Sequence, residues 1–520
     1  LLLLATALLP IALPAANAVD DEVPFGPPGT VRPRAPRPAE GHMPIAEASN
    51  AFGFDLYARL AADKRNEGKN LFFSPYSITT ALDMVAEGAR LETAEQMGTV
   101  LRYPAAWRRA GADTKARPWD EALVHAGVEA QARRFAEKPV PAELSAQMDA
   151  ARQEHAAEVA LAETMRKGKS IDWEAYRAQM AKAQKVSEKF DALAAKMPGY
   201  ELAVANGLWA EKTFPFEPDY MASVTGHYAA GLESADFIHN PNGVRLEIND
   251  WIARKTKDKI KDMLKPPAIN EMTRLVLANA IYFYGTWQAP FETKRTKPED
   301  FSTPEGKTPV PMMNQWGMKG VSYAAYNGDG SLFPTPDVVN GGTKPAECYP
   351  DEKGFLIGEL PYKGEGMVMT IFAPQSPDGL PALEKKLTAE NVREWTGRLV
   401  PRKTNVALPK FKFKTTYNLN QPLISLGMPR AFAPGTAQFG GISGRELFIG
   451  FVQHDAFVDV NEKGTEAAAA TVIGMLATGA PPNSWPFVPN FRVDRPFVFL
   501  IRDTVSGTIL FVGRVTKPEA

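Results

Sequence analysis

From Tyr200 to the C-terminus the chain is a series of short runs rich in Val, Ile, Phe and Tyr. ELAVANGLW, TRLVLANAIYFYG, GFLIGELPY, MVMTIFAP, NVALPKFKFKTT, DAFVDVNE, RPFVFLIRD and TILFVGRV are each bounded by turn-forming residues, which predicts a strand for each. One helix is expected among them, over Val244–Leu264. Upstream the period changes. In NAFGFDLYARLAADK, Phe52, Leu56, Leu60 and Ala61 share one helical face. Ser74-Pro75 opens a second helix, Ser as cap and Pro in the first turn. Gly88 closes it, and Thr93 with Gln96 predicts a capping box for the next. Helices followed by many strands describe an α+β domain with large mixed or antiparallel sheets.

Four stretches break this pattern. Residues 103–200 are dominated by Ala, Glu, Lys, Arg and Gln, and 142–196 are strong helix formers throughout. A helical insertion over about 103–176, exposed to solvent, is expected. Residues 327–350 (NGDGSLFPTPDVVNGGTKPAECYP from Asn327) are rich in turn residues and predict a loop insertion inside a hairpin. Residues 19–47 are proline-rich and predict an extended linker. Residues 1–18 are apolar and end in Ala16-Asn17-Ala18, so they are expected to be an export signal, truncated of its charged start. The folded domain is then 48–520, and the expected location is secreted or periplasmic.

Composition narrows the function. Lys plus Arg number 59 against 60 Asp plus Glu, so no overall field favours nucleic acid or an anionic membrane. The single cysteine, Cys348, excludes an intramolecular disulfide and a cysteine-rich metal or redox motif. None of the six histidines forms His-Glu-x-x-His. Gly168-Lys169-Ser170 has Glu163 where a phosphate-binding loop needs glycine, and Ser443 lacks nucleophile-elbow spacing. The chain is not expected to be an enzyme, nor to carry a metal or cofactor.

The informative segment is NEKGTEAAAATVIGMLATGA, from Asn461. Four successive alanines suit a helix. Read as a strand, Thr465, Ala467, Ala469, Thr471, Ile473 and Met475 share one face, growing from small to large apolar side chains, while Glu466 faces the other way. Such a face can slide between existing strands. Gly464 supplies a pivot. The proline-rich GAPPNSWPFVPNF that follows is extended and cannot join a central sheet.

Together with that segment, FRVDRPFVFLI (Phe491–Ile501) with Gly507 and ILFVGRV, Asn70-Leu71-Phe72-Phe73-Ser74-Pro75-x-Ser77 and LANAIYFYGTW (Leu277–Trp287) resemble blocks of the serpin family, in the family's order. The resemblance covers roughly residues 50–101 and 196–518. It implies three β-sheets, about nine helices and an exposed reactive-centre loop. It also implies a serine-type endopeptidase inhibitor acting as a suicide substrate, with a non-inhibitory carrier or binding protein as the alternative. NEKGTEAAAAT resembles the hinge of inhibitory members: Gly464, Thr465, Glu466, Ala467, Ala468, Ala469, Ala470 and Thr471. Ser74, Ser77, Asn279 and His454 match the family's shutter, a polar cluster beneath the point where the sheet parts. Trp287, Lys410 and Glu462 match its breach, at the top of that opening. Counted from Glu462 by the family's spacing, the reactive bond falls at Thr478–Gly479. The implied partner is an elastase-like serine protease, or a chymotrypsin-like one if Leu476 or Met475 is the recognised residue. A monomer is expected. Asp455, where the family commonly has a basic residue, and Gly440 depart from the pattern.

Overall fold

The computed structural model describes residues 43–111, 116–136, 142–166, 172–194, 199–228, 231–340, 342–364, 366–465 and 484–519. Among them are eleven α-helices: α1 (Pro44–Ala62), α2 (Pro75–Ala86), α3 (Leu91–Val100), α4 (Glu121–Phe135), α5 (Ala142–Arg166), α6 (Trp173–Ala194), α7 (Pro218–His227), α8 (Pro241–Lys255), α9 (Leu380–Glu384), α10 (Ala389–Gly397) and α11 (Asn420–Leu426).

The strands form three large sheets and one short ribbon. The seven-stranded sheet holds β1 (Leu71–Phe73), β7 (Ser322–Tyr326), β9 (Phe355–Pro361), β10 (Met367–Pro374), β11 (Val400–Pro401), β18 (Phe497–Asp503) and β19 (Ile509–Val515), in the order β1-β19-β18-β10-β9-β7-β11. The four-stranded sheet is built from β5 (Lys297–Thr303), β6 (Gly306–Met318), β12 (Thr404–Pro409) and β17 (Asn490–Arg492), in the order β17-β12-β6-β5. The six-stranded sheet contains β2 (Tyr200–Glu211), β3 (Gly231–Ala235), β4 (Leu275–Thr286), β13 (Phe411–Asn418), β14 (Gln453–Asn461) and β15 (Gly464–Thr465), in the order β13-β14-β15-β4-β2-β3. The ribbon pairs β8 (Val338–Val339) with β16 (Trp485–Pro486).

Period-two alternation builds the core. Along β18, Phe497, Phe499 and Ile501 pack with Phe411 of β13 and Val458 of β14, between the six- and seven-stranded sheets. The intervening Val498 and Leu500 pack on the other face against Phe52 and Leu56 of α1. All five β18 residues are fully buried. At about 1.5–3 kcal/mol for each large apolar side chain, this strand alone is a major stabilising element.

Three local expectations change. The helix expected over Val244–Leu264 ends at Lys255. Lys257, Asp258 and Asp262 take positive φ, and the Thr256 hydroxyl accepts from Ile260 N–H at 3.2 Å, closing a turn instead of continuing the helix. Thr93 does not open a capping box, because α3 starts at Leu91 and the Thr93 hydroxyl accepts from Gln438 N–H at 3.0 Å. The first helix starts at Pro44, with Ile45 and Ala46 already buried, upstream of the boundary at 48.

The insertion also moves. Residues 103–136 belong to the domain body: Trp107, Val124, Val128 and Phe135 are buried. Arg134 of α4 donates to both carboxylate oxygens of buried Asp503 at 2.9 and 2.7 Å. The apolar residues of α4 are sparse in sequence, but helical spacing puts Val124, Val128 and Phe135 on a single face. The helical appendage is the pair α5 and α6, whose buried cluster is Leu144, Ala151 and Leu193. So small a cluster buries little area, and most of each helix surface stays in water.

We expect replacement of residues 142–194 by a flexible Gly/Ser linker to shift the melting temperature by no more than about 2–4 °C, the equivalent of about 1 kcal/mol already in a domain of about 150–250 residues. Scanning calorimetry checks this; a drop beyond 10 °C on the order of magnitude of a lost core element would show that α5 and α6 support the sheets.

Candidate functional site

The central position of the six-stranded sheet is occupied by β15, which pairs antiparallel with strands on both sides. Gly464 lies opposite Asn461 and Thr286; Thr465 lies opposite Val460 and Gly285. β14 and β4 therefore run parallel to one another with a strand-wide position between them. Gly464 takes φ of 153°, and a Cβ there would sit 1.9 Å from the Gly285 carbonyl oxygen. Only glycine fits. Thr465 is buried, its hydroxyl 2.8 Å from that of Tyr362 beneath the sheet. Its side chain thus points to the core side. Glu466, Ala467, Ala468, Ala469, Ala470, Thr471, Thr478 and Gly479 lie outside the described residues.

Trp287, Lys410 and Glu462 meet at the end of the sheet where β15 enters. The Trp287 indole N–H donates to Asn461 O at 3.0 Å, and its ring stacks on Tyr362 with centroids 4.5 Å apart. The Trp287 and Phe291 amides donate to the carbonyls of Lys463 and Glu462 at 2.9 and 2.7 Å. The turn between β14 and β15 is thereby tied down through its backbone. The Glu462 carboxylate is buried, 3.1 Å from the half-exposed Lys410 ammonium, and accepts from the Thr296 hydroxyl at 2.8 Å. Burial pushes this carboxyl up, but backbone and Thr296 hydrogen bonds and the Lys410 charge outweigh it and hold it below the usual carboxylate range. The pair fixes Glu462 as an anion while its neighbour Lys463 passes the chain into the central position.

Ser74, Ser77, Asn279 and His454 meet further down the same sheet. The sequence builds this locally: Pro75 starts α2, and the Ser74 side chain caps it by accepting from Ser77 N–H at 3.1 Å. That cap turns both serines toward β4 and β14. The Ser77 hydroxyl donates to the Asn279 side-chain oxygen, and Asn279 Nδ2 donates to Asn206 Oδ1 at 2.7 Å. His454 Nε2 accepts from Ser74 N–H at 3.1 Å, which places the imidazole proton on Nδ1. Burial pushes the His454 pKa down to about 3. The ring is neutral at any physiological pH, and one α2 cap holds groups from both strands that flank the central position.

Three residues here have no counterpart among the sequence-derived candidates: Asn206, Thr296 and Tyr362. Asn206 carried a signal, since AVANGLW and VLANAIY each place one Asn in an apolar strand and pair directly as Asn206 and Asn279. Thr296 and Tyr362 come from distant segments without distinguishing local pattern. The departure at Asp455 has a partner: its buried carboxylate lies 2.8 Å from the Lys414 ammonium on β13.

Residues 47–518 match the family model for serpins, serine protease inhibitors. The chain is 31% identical over 91% of its length to a leukocyte elastase inhibitor of Xenopus tropicalis, 99% of which is covered. It is 32% identical to human serpin B3, covering 91% of this chain and 99% of that protein. Uncleaved ovalbumin superposes with a TM-score of 0.63 at 25% identity, over 91% of this chain and all of that one. Thyroxine-binding globulin in complex with its ligand superposes at 0.64 with 20% identity, over 92% of this chain and 99% of that one. The chain belongs to the serpin family.

The neutral, buried His454 has a pH signature. An unfolded histidine takes up a proton below pH ~6.5, whereas the folded one does so only near 3. Its contribution to stability is therefore complete above pH ~6.5 and is lost progressively as pH falls toward 3. The parent should lose more urea stability between pH 7 and 4.5 than His454→Gln does. Equal losses would remove the imidazole as the cause.

Proposed function

We propose that this serpin inhibits a serine protease by serving as its suicide substrate. The observation that carries the reading is the seating of Gly464 and Thr465 between β14 and β4, with the following segment composed of small residues on its inward face. Continued in the same register, an inserting strand would bring Thr471 opposite both Asn279 and His454. Ala467 and Ala469 would pass over the buried apolar side chains between, and Ile473 and Met475 would follow. A threonine hydroxyl meeting the Asn–His cluster would supply a new partner as the Ser74 and Ser77 contacts rearrange.

The chemistry belongs to the protease. Its serine oxygen attacks the Thr478 carbonyl, the peptide bond to Gly479 breaks, and the new amine at Gly479 leaves with the downstream chain. An ester now joins the protease to the end of a segment free to insert. About ten inserted residues, each gaining a net ~0.5–1.5 kcal/mol of backbone hydrogen bonding, supply on the order of 10 kcal/mol. That matches the ~5–15 kcal/mol holding a typical protease folded, so insertion can distort the enzyme before water releases the ester. A small β-branched Thr478 suits a small specificity pocket, and the frog relative is a leukocyte elastase inhibitor. Recognition at Leu476 or Met475 would favour a chymotrypsin-like enzyme instead. A carrier function would call for bulky or charged residues on the inward face, where Thr465, Ala467, Ala469 and Thr471 stand. Action outside the cytoplasm accords with the apolar run at residues 1–18.

The test is incubation with elastase-like and chymotrypsin-like proteases. A complex surviving denaturing gel electrophoresis, with a released peptide that begins at Gly479, is expected. Protein cut once in the segment should melt tens of degrees higher, given the order of 10 kcal/mol above. An unchanged melting temperature would sink the insertion mechanism.

Thr465→Arg should convert the inhibitor into a plain substrate. In uncut protein the arginine would leave the central position, because an unpaired guanidinium beside Tyr362 costs several kcal/mol. Insertion must then bury it again, and each 1.4 kcal/mol slows that step about tenfold, so deacylation should win. Cleavage at the same bond without stable complex is the expected result; undiminished complex formation would show that the hinge is elsewhere.

A further inference from the structure

α2, α4 and α7 meet at one carboxylate. Glu87 caps the C-terminal end of α2, where the helix dipole disfavours a negative charge. Its Oε2 lies 2.7 Å from His125 Nε2 on α4, and its Oε1 accepts from the Ser223 hydroxyl on α7 at 2.9 Å. The His125 ring stacks on that of His227, in the last turn of α7, with centroids 3.9 Å apart. His227 Nδ1 lies 2.6 Å from Glu129 Oε1 on α4. Two imidazoles thus lie face to face between the helices, each against a carboxylate.

The surrounding charges leave Glu87 to His125. Arg117 pairs with Glu121 at 2.6 Å and Arg133 with Glu129 at 3.1 Å. The Arg90 guanidinium is turned to the carbonyls of Glu87 and Ala89. Tyr220 and Tyr228 of α7 lie near the Glu87 charge, and Tyr228 sets its ring edge-on to His125. One turn back on α2, buried Asp83 accepts from the Tyr103 hydroxyl at 2.7 Å and lines, with Glu87, Trp119 and Glu121, a cavity of about 30 Å³. Burial pushes the Asp83 pKa up to about 7; the Tyr103 bond opposes this and the Glu87 charge adds to it. Burial opposes a charge on His125, but the Glu87 hydrogen bond and the charges of Glu87, Glu121 and Glu129 outweigh it and raise its pKa.

Both groups hold a proton more tightly in the fold than in the unfolded chain, where Asp titrates near ~3.9 and His near ~6.5. The Asp83 contribution to stability is lost as pH rises from ~4 through about 7, and that of His125, full below pH ~6.5, as pH rises through its raised value. The two act in the same direction, opposite to His454. Above both, a bare Asp83 carboxylate faces Glu87 one helical turn away, and His125 keeps a neutral hydrogen bond, weaker than a charge-assisted one.

This junction holds one flank of the six-stranded sheet. α7 joins β2 to β3, which lie with β4 on one side of β15. On the other side, β13 is bonded to β1: the Tyr417 hydroxyl accepts from Phe72 N–H at 3.2 Å and the Thr415 hydroxyl donates to the Phe72 carbonyl. α4 is fastened to the seven-stranded sheet through Arg134 and Asp503. Parting the sheet at β15 shifts the first flank against the second, and the α7 contacts to Glu87 and Glu129 resist that shift. Resting on the insertion reading above, we propose that the α2–α4–α7 junction is a proton-operated clamp on the sheet: acid tightens it and slows insertion, and a rise through neutral pH releases it.

The probe is an acetylated, amidated peptide with the sequence of residues 465–475, offered to uncut protein. Its one ionisable side chain, the equivalent of Glu466, stays charged from pH ~6 to ~8.5, and its uptake is read as a gain in melting temperature. The rate should rise about tenfold over that range in the parent, the worth of one weakened charge-assisted bond. His125→Gln, which keeps an amide donor for Glu87, should already take up peptide faster at pH ~6. Asp83→Asn should stay slower than the parent at pH ~8.5, and the double variant should lose the pH dependence. A second reading needs no variant: amide protection of α7, corrected for intrinsic exchange, should fall about tenfold over the same range while that of α10 holds. Equal pH slopes in parent and double variant, or α7 protection that is flat or rises with pH, overturn the clamp. A parent that takes up no peptide at any pH overturns the insertion reading instead, and α7 protection then decides the clamp by itself.

Discussion

Two residues, Gly464 and Thr465, occupy the middle of the six-stranded sheet. A strand begun between two parallel neighbours and continued by small side chains is a template with one edge of each neighbour on offer. Everything around it follows from the need to start that strand and hold it there. Gly464 has no Cβ because the Gly285 carbonyl stands in its place. Thr465 reaches Tyr362, which is itself stacked beneath Trp287. The turn before them is gripped by backbone hydrogen bonds from Trp287 and Phe291. The start of the strand is thereby positioned by main-chain contacts, which no side-chain substitution in the turn can readily undo.

Further along the same two strands the restraint is polar. The α2 cap holds Asn279 of β4 through Ser77 and His454 of β14 through Ser74. Such a cluster resists separation because each buried group left unpaired costs about 1–3 kcal/mol. It is also reversible in a way an apolar contact is not, since an arriving hydroxyl or amide can replace the lost partner. The breach pair differs in character: Glu462 is buried and Lys410 half-exposed. There the carboxylate keeps its charge through short hydrogen bonds as much as through the ammonium.

The additions to the fold divide by what they touch. α5 and α6 pack on each other through the small cluster Leu144, Ala151 and Leu193 and leave their outer faces in water. The 327–350 insertion instead reaches the segment downstream of the bait, through backbone pairing, an aromatic contact and the Tyr349 hydroxyl. Length and polarity would class both as solvent-exposed decorations, yet the second pairs with the chain at Trp485–Pro486.

Period-two runs such as RPFVFLIRD and LANAIYFYG specified their strands locally, because alternation with bulky and β-branched side chains admits few other structures. The cap at Ser74-Pro75 was equally local. The extent of the helical insertion was not legible: α4 has too few apolar residues to stand out, and its place in the core depends on Asp503, far away in sequence, receiving Arg134. The end of α8 was likewise set by Thr256 bonding Ile260 rather than by any breaker residue. Asn206, Thr296 and Tyr362 joined the site only because the sheets bring distant segments within hydrogen-bonding range. Local sequence determined which segments are strands and which serine caps α2, since each depends on near-neighbour sterics. Tertiary structure decided which polar groups join the strands flanking β15 and which segment the 327–350 insertion pairs with, since each depends on a partner from a distant part of the chain.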